Sequence, residues 1–595
     1  TLIIRSLRLY WRSHLTVLLA TAIAATVLIG ALLVGGSVKQ SLARLVFLRL
    51  GGTQTAIIAA DLLPQASLAS RLEERTGQPA AAVLTIPGIV TVPSNDRRAN
   101  KVQICGVDSD FPRLSPFGDA PVPEAGKAAI SASLGQHLAV APGEEIVLRV
   151  ERRSGMPKDT PLAQTKDAVV PLRLVVDRIV GDAEWARFGL RADHAAPHNA
   201  FVNREQLATV LGVPGQTTVI LSGSEPTDVV HQLPDLMTGT DASLELRELP
   251  DGGWEARSPR VFLPAGVAEA FSQQPRRPTG ILTYLANRIE KGERSTPYSF
   301  VTGTDASWLP KGLGDDGIVL NQWLADDLQA KVGDRIRLYY YVLGPLRQLE
   351  QADAEFTVRH VMPLAGPFAD PTLMPDFPGI ADSADCTDWD TGVKLDFTQV
   401  RPKDEAYWDA HRGTPKAFVS LARAQELWGN RFGTLTAVRF RAAERKDVEH
   451  ALATAVNPFS IGCTIARARE DGMVASSEST DFGGLFLGLS FFLILAALLL
   501  TGLLYSLALD RRREQLVTLR ALGWPARQVR RLFLREAMCV ALPGIALGAL
   551  GALVYNHVVI RALTTIWSGS VGSAPLVAHT SWLALLIGGL ASLLV

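Results

Sequence analysis

The stretch FGGLFLGLSFFLILAALLLTGLLYSLAL, residues 482–509, holds 28 consecutive residues without a charge. A helix crosses the roughly 30 Å hydrocarbon core of a bilayer with about 20 residues, so this run is long enough to span. Two further uncharged runs, 15–38 and 537–560, meet the same requirement. A fourth, 582–595, is still apolar at the last residue and reads as a spanning helix cut short, so the natural chain is expected to continue. A buried core helix could imitate any one of these runs, but hardly all of them. A signal peptide competes for the first run. Its 24 uncharged residues are long for an h-region, and Val34-Gly35-Gly36-Ser37 matches a cleavage site only loosely.

Around these runs lies a chain of 595 residues with 59 basic and 59 acidic side chains and 47% apolar residues. The length calls for more than one domain. The charge balance argues against a general nucleic-acid binder, and the apolar content against a disordered chain. Arg5, Arg8 and Arg12 precede the first run, with Tyr10 and Trp11 placed as interface anchors. Residues 510–536 carry eight arginines and a net charge of +5. The positive-inside rule puts both segments in the cytoplasm; Lys39, Arg44 and Arg49 oppose the bias, but a long translocated segment is little affected by them. Residues 37–481 then lie outside with a net charge of −9, which favours solubility and identifies no ligand.

That outer segment contains an internal echo. Ile130-Ser131, Leu134, Leu138, Gly143-Glu144, Ile146 and Leu148 return 190 residues later as Leu320-Asn321, Leu324, Leu328, Gly333-Asp334, Ile336 and Leu338. In each copy a capping residue, Ser131 or Asn321, opens a short helix, and a tight turn delivers an alternating strand. Gly106-Val107-Asp108 and Gly303-Thr304-Asp305 precede the two copies; Ala200-Phe201-Val202 and Ala417-Phe418-Val419 follow them. The expectation is two related α/β modules, 53–250 and 256–470, joined at the turn formers Pro250-Asp251-Gly252-Gly253. After the first span, Val38, Leu42, Leu45 and Val46 continue a helical apolar stripe to Gly51-Gly52. A helix over residues 15–50 would be ~54 Å long and would project from the membrane as a stalk. The layout expected is a cytoplasmic N-terminus at 1–14, a span at 15–36, a stalk at 37–52, the two modules, then spans at 482–509, 537–560 and 582–595, with 510–536 between the second and third.

The most specific stretch is 511–536. Leu516, Leu519 and Leu522 form one apolar stripe, Gly523 supplies a helix C-cap, Pro525 suits the start of a new helix, and Val529, Leu532 and Phe533 form a second stripe. An amphipathic helix with basic faces at the membrane surface has two readings: packing against anionic lipid, or docking into a groove on another protein. Gly484 with Gly488, and Gly544 with Gly548, are small-xxx-small pairs that permit close helix approach, within one subunit or between two.

Glu514, Arg520-Ala521-Leu522-Gly523, Gln528-Val529, Leu532 and Glu536, followed by Gly544 and Gly548, resemble the FtsX-like permease domain of ABC transporters, the MacB and LolC/LolE group called type VII, over residues 482–595. Val107-Asp108-Ser109-Asp110-Phe111 and the helix-turn-strand unit ending at Gly143-Glu144 resemble the MacB-like periplasmic core domain. Trp524 and Pro543 depart from the pattern, standing where a small residue and Gly are usual. The resemblance implies an integral membrane α-helical permease of four spans, the last truncated, carrying a large extracytoplasmic α/β (α+β) region of two related modules on helical stalks. It implies a bacterial inner-membrane location, a cytoplasmic ABC ATPase dimer as partner and a second or homologous permease copy. Membrane lipids and a periplasmic protein or lipoprotein are further partners. Leu516, Leu519, Arg520, Leu522, Gly523, Val529, Leu532, Phe533 and Glu536 would then couple the permease to the ATPase.

The residues agree that nucleotide chemistry lies elsewhere. The one Gly-Lys pair, Gly126-Lys127, has Pro121 at the upstream Gly position of a P-loop and Ala128 in place of Ser or Thr, so ATP and Mg are expected on a partner chain and no cofactor on this one. The chain has no H-E-x-x-H and no C-x-x-C. Pro197 disfavours the helix that would align His194 with His198, and the carboxylates Asp382, Asp385, Asp388 and Asp390 read as a solvated loop. Cys386 and Cys463 are either a disulfide or two buried thiols. The competing function is a membrane-anchored sensor or binding protein without an ATPase; an external enzyme on an anchor is a third, lacking a catalytic cluster.

Overall fold

The computed structural model describes residues 2–59, 63–152, 169–191, 197–274, 277–343, 349–377, 395–441, 444–478, 482–565 and 576–594, with isolated positions between 379 and 389. The chain divides into two compact units, one made of residues 1–51, 187–197 and 468–595, the other of 52–186 and 198–467. His194, Cys386, Asp382, Asp388 and Asp390 lie outside the described residues.

Two helices come first, α1 (Leu2–Leu9) and α2 (Trp11–Leu50). The sheet unit follows with β1 (Thr55–Ala59), α3 (Ser67–Thr76), β2 (Ala80–Val92), β3 (Arg97–Val107), β4 (Lys127–Ser131), α4 (Ala132–Leu138), β5 (Glu145–Glu151), β6 (Val169–Val180), β7 (Asn199–Asn203), α5 (Arg204–Leu211), β8 (Val219–Ser222), α6 (Pro226–Leu236) and β9 (Glu245–Glu248). The same order recurs as β10 (Trp254–Arg257), α7 (Ala265–Ser272), β11 (Thr279–Lys291), β12 (Arg294–Thr304), β13 (Gly317–Asn321), α8 (Gln322–Leu328), β14 (Arg335–Leu343) and β15 (Leu349–Met362). After an inserted α9 (Pro402–His411) it finishes as β16 (Ala417–Ser420), α10 (Leu421–Trp428), β17 (Ala437–Phe440), α11 (Arg445–Ala455) and β18 (Cys463–Ala466).

Local chemistry explains why the two runs fold alike. Ser131 Oγ and Asn321 Oδ1 accept the backbone N–H of Leu134 and Leu324, capping α4 and α8. Each helix buries its leucines, Leu134 with Leu138 and Leu324 with Leu328. The following turns put Gly143 at φ 93° and Gly333 at φ 95°, a region costly for any residue with a Cβ. Both glycines donate their N–H to the long return strand, at Val176 and Val358.

Each sheet has nine strands in the same spatial order, β18-β1-β8-β2-β3-β7-β4-β6-β5 and β9-β10-β17-β11-β12-β16-β13-β15-β14. In both, six strands close into a ring through β2–β5 or β11–β14, which removes the free edges there. Register is shared as well: Ile104 and Ile130 both face Ala200, and Val301 and Leu320 both face Ala417. The outermost strands are exchanged. β9, from the first run, pairs with β10, and β18, from the second, pairs with β1. A boundary near Pro250 therefore separates the two runs of sequence but not the two sheets, because each run lends its last strand to the other.

The helical unit is completed by α12 (Ala468–Glu478), α13 (Phe482–Asp510), α14 (Arg513–Ala521), α15 (Ala526–Thr565) and α16 (Trp582–Leu594). α2, α13 and α15 contain helices long and apolar enough to cross a membrane; α16 has 13 residues, ~20 Å of helix, less than a crossing needs. α2 is the centre against which α12, α13, α15 and α16 pack. Val529, Leu532 and Phe533, read from sequence as a stripe outside the third span, are the first turns of the same 40-residue helix that continues through Pro543 to Thr565.

Candidate functional site

The elbow between α13 and α15 is built on one buried ion pair. Arg512 occupies the N-cap position of α14, yet its side chain makes no cap hydrogen bond and turns inward. Its guanidinium donates to Glu536 of α15 twice, Nη1 to Oε1 at 2.8 Å and Nη2 to Oε2 at 3.1 Å, and both residues are buried. Ser6 of α1 accepts from Arg512 Nη2 at 2.5 Å and donates to Glu536 Oε1 at 2.6 Å. Gln515 accepts from Arg512 Nε at 3.1 Å, and His14 Nε2 lies 3.0 Å from Glu536 Oε1. Tyr10 and Phe533 sandwich the guanidinium, each ring centroid 4.7 Å from Cζ. Bidentate geometry with the remaining donors and acceptors filled is what allows a buried charge pair to offset its desolvation. α1, α2, α14 and α15 are thereby tied at one point.

Beyond Arg512, α14 ends in a Schellman turn. Trp524 N–H bonds to Leu519 O at 3.1 Å and Gly523 N–H to Arg520 O at 3.0 Å, with Gly523 at φ 89°. Pro525 O then accepts the N–H of Gln528 and Val529, starting α15. The nine candidate coupling residues separate by exposure. Val529 and Glu536 are buried, Leu516, Leu519, Leu532 and Phe533 are half-buried, and Arg520, Leu522 and Gly523 are exposed. Val517, absent from the sequence-derived set, is 65% exposed, and Leu522 is 72% exposed. The stripes line two grooves: one of about 460 Å³ holds Leu516, Arg520, Val529 and Phe533, the other of about 440 Å³ holds Leu519, Leu532, Phe533 and Glu536.

Along α15 the residues Glu536, Val540, Gly544, Gly548, Ala552, Asn556 and Ile560 fall every fourth position and are all buried. This is one i±4 ridge. A Cβ on Gly544 would lie 3.0 Å from Leu18 O, and one on Gly548 only 2.5 Å from Ala25 Cβ. The pair Gly544 and Gly548 thus serves close contact with α2 inside one chain. Gly488 has open space around it, and the surroundings of Gly484 lie outside the described residues. At the far end of the ridge Asn556 Oδ1 accepts from Ser37 Oγ at 3.1 Å, and Asn556 Nδ2 donates to His579 O at 3.2 Å. Ser41 and Ser37 hold the strap before α16 by accepting Val577 N–H and His579 N–H. Glu536 and Asn556 are twenty residues apart on α15, which is ~30 Å of helix, the thickness of a hydrocarbon core.

Sequence reading missed Arg512, Ser6, His14 and the Ser37–Asn556 clamp as site residues, and gave Tyr10 only as an interface anchor. The signal was present: two polar residues on a four-residue spacing that runs through Gly544 and Gly548.

The sheet unit shows no comparable centre. Among the described residues no group of three His, Cys, Asp or Glu could hold a metal ion. Cys105 and Cys463 are buried free thiols, pushed up by burial to about 12 and about 11, so both stay protonated at neutral pH.

A membrane protein with a long α15, a short α14 between two apolar helices and a paired-sheet unit is the class these features define. Residues 487–595 match the family model described as FtsX-like permease C-terminal. Two solved structures align with part of the chain. The periplasmic region of MacB from Actinobacillus actinomycetemcomitans is 9% identical, covers 29% of this chain and 77% of its own, and has a TM-score of 0.20. The extracellular domain of the ABC-type transporter YknZ from Gram-positive bacteria is 11% identical, covers 30% of this chain and 87% of its own, and has a TM-score of 0.19. No curated protein matches the chain.

Proposed function

We propose that this chain is the permease subunit of an ABC transporter complex in which a partner ATPase, with its ATP and Mg, docks on α14 from the cytoplasm and moves an extracytoplasmic sheet region. The observation that carries this reading is the pairing of an exposed apolar tip, Val517 and Leu522, with a buried root, Arg512 on Glu536. A soluble partner can grip the tip, and displacement there reaches α15 and α2 through the root without compressing a flexible loop. The net charge of +5 over 510–536 supports the cytoplasmic side.

Connectivity supports the outward end. β1 follows α2 in the chain, β18 precedes α12, and these two strands pair antiparallel with Ala56 opposite Ala466. The strand that follows α2 and the strand that precedes α12 are thus joined to each other, so a pull along either helix would reach the same strand pair. The cargo class would be a lipoprotein, peptide, lipid or amphiphile, and a second permease copy would complete the complex in the bacterial inner membrane.

The test is the full chain co-expressed with a candidate partner ABC ATPase from the same genome and purified in mild detergent. Leu522→Asp should lower both ATPase retention and chain-stimulated ATP hydrolysis at least about tenfold, the equivalent of one lost interface anchor. Its exposed position spares the fold. Unchanged stimulated hydrolysis by that variant, or a complex with no hydrolysing subunit, would reject the assignment in favour of a membrane-anchored binding protein.

A further inference from the structure

We propose that the groove on the Arg520 side of α14 is a binding site for one anionic phospholipid. Its floor comes from two depths. Tyr505, Leu509 and Ala537 belong to the ends of the uncharged runs 482–509 and 537–560, and Leu534, which is exposed, lines the groove with them. Arg520 and Arg530 stand at the mouth, both exposed and neither with an ion-pair partner among the described residues. The groove has no carboxylate in its lining and a volume of about 460 Å³, within the range of sites that bury a ligand.

That arrangement discriminates among occupants. An apolar floor that reaches the ends of both uncharged runs admits an acyl chain. Two unpaired guanidinium groups at the boundary want a phosphate, which each can hold with paired N–H donors. A second copy of this chain would bring its own 510–536 segment, net +5, toward two arginines and be repelled. The Leu519 side of α14, with Glu514 and Glu536 in its lining, offers no such complementarity to an anion. The bound lipid would fill the space between α13 and the start of α15 and offset part of the elbow's positive charge, independently of any partner that grips Val517 and Leu522.

The experiment is native mass spectrometry of the full chain released from mixed micelles containing equal phosphatidylglycerol and phosphatidylcholine. Retention should favour phosphatidylglycerol by about tenfold, as two arginines near a membrane surface provide. The double variant R520Q/R530Q should bring the ratio to near one, whereas R527Q, an exposed arginine outside the groove, should leave it within about twofold of the parent. Glycerophosphoglycerol, the headgroup without its chains, should not displace the lipid. Equal retention of the two lipids, an unchanged ratio in R520Q/R530Q, an equal loss in R527Q or displacement by the bare headgroup would each overturn the site. None of these readings requires an ATPase, so they stand or fall apart from the function proposed above.

Discussion

The helical unit and the sheet unit draw on the same residue types in opposite ways. In the helical unit Phe492, Leu503 and Leu586 are exposed, while the buried positions of α15 include Glu536, Gly544, Gly548 and Asn556. In the sheet unit the largest fully buried side chains include Phe111, Trp185, Phe201, Phe356 and Phe418. The reason is the solvent. In water, apolar burial drives packing, so aromatic and aliphatic side chains go inside. In lipid there is no such drive, and helices associate where small residues let backbones meet and polar groups find one another. Both units nonetheless keep a buried carboxylate held by arginine. Glu536 is clasped by Arg512; Glu255 of β10 is held by Arg247 of β9 at 2.5 Å and Arg439 of β17 at 2.7 Å.

The largest expected effect comes from removing those carboxylates. Glu255→Ala would take the carboxylate from Arg247 and one of two carboxylates from Arg439, which keeps Asp370, and Glu536→Ala would take the carboxylate from Arg512; losing a partner from a buried pair costs about 3–5 kcal/mol. Hydrogen exchange on the full chain should quicken at 245–257 and 437–440 in the first variant and at 513–536 in the second, each leaving the other unit unchanged. Exchange that spreads across both units would break the comparison.

A middle-sized effect is expected on the α2–α15 contact. Gly548→Leu places a side chain where Ala25 Cβ and Ala22 O already stand, and overpacking of this kind costs about 1–3 kcal/mol. The unfolding midpoint of the helical unit in detergent should fall, with the sheet unit unaffected. An unmoved midpoint would mean that α15 does not depend on that close approach.

The smallest effect is on acid stability of the sheets. Burial pushes the Asp370 carboxyl up, but Arg439 and Thr372 outweigh it and hold it below its ordinary value. Asp327 is likewise held low by Lys403, Thr296 and Arg401 against its burial. A carboxylate depressed in the folded state stabilises above its unfolded pKa and loses that contribution as pH falls through the folded one. The unfolding midpoint of the sheet unit should therefore be flat from about pH 7 to pH 5 and decline below about pH 4. A decline that begins above pH 5 would point to other groups.

Sequence periodicity exposed a good part of this. The uncharged runs gave the membrane class because hydrocarbon thickness sets a length that few soluble helices imitate. The echo from Ile130-Ser131 to Leu320-Asn321 was legible because caps and glycine turns are local. The elbow was half legible. Gly523 and Pro525 announced the turn, but the stripe rule cannot say which face of a short helix is covered, so Val529 and Glu536 entered the docking set although they are buried. Val517, between two stripe leucines, was passed over although it is exposed.

What this sequence determined by itself is whatever depends on near neighbours or on length: three stretches fit to cross a bilayer, an arginine-rich turn between two of them, and repeated helix-turn-strand units. What only the tertiary structure decided is pairing at a distance. Arg512 meets Ser6 across 506 residues, and β1 meets β18 across more than 400. No local pattern encodes such partners, because a buried charge or an open strand edge states only that it must be satisfied, and the packing of the whole chain selects by what.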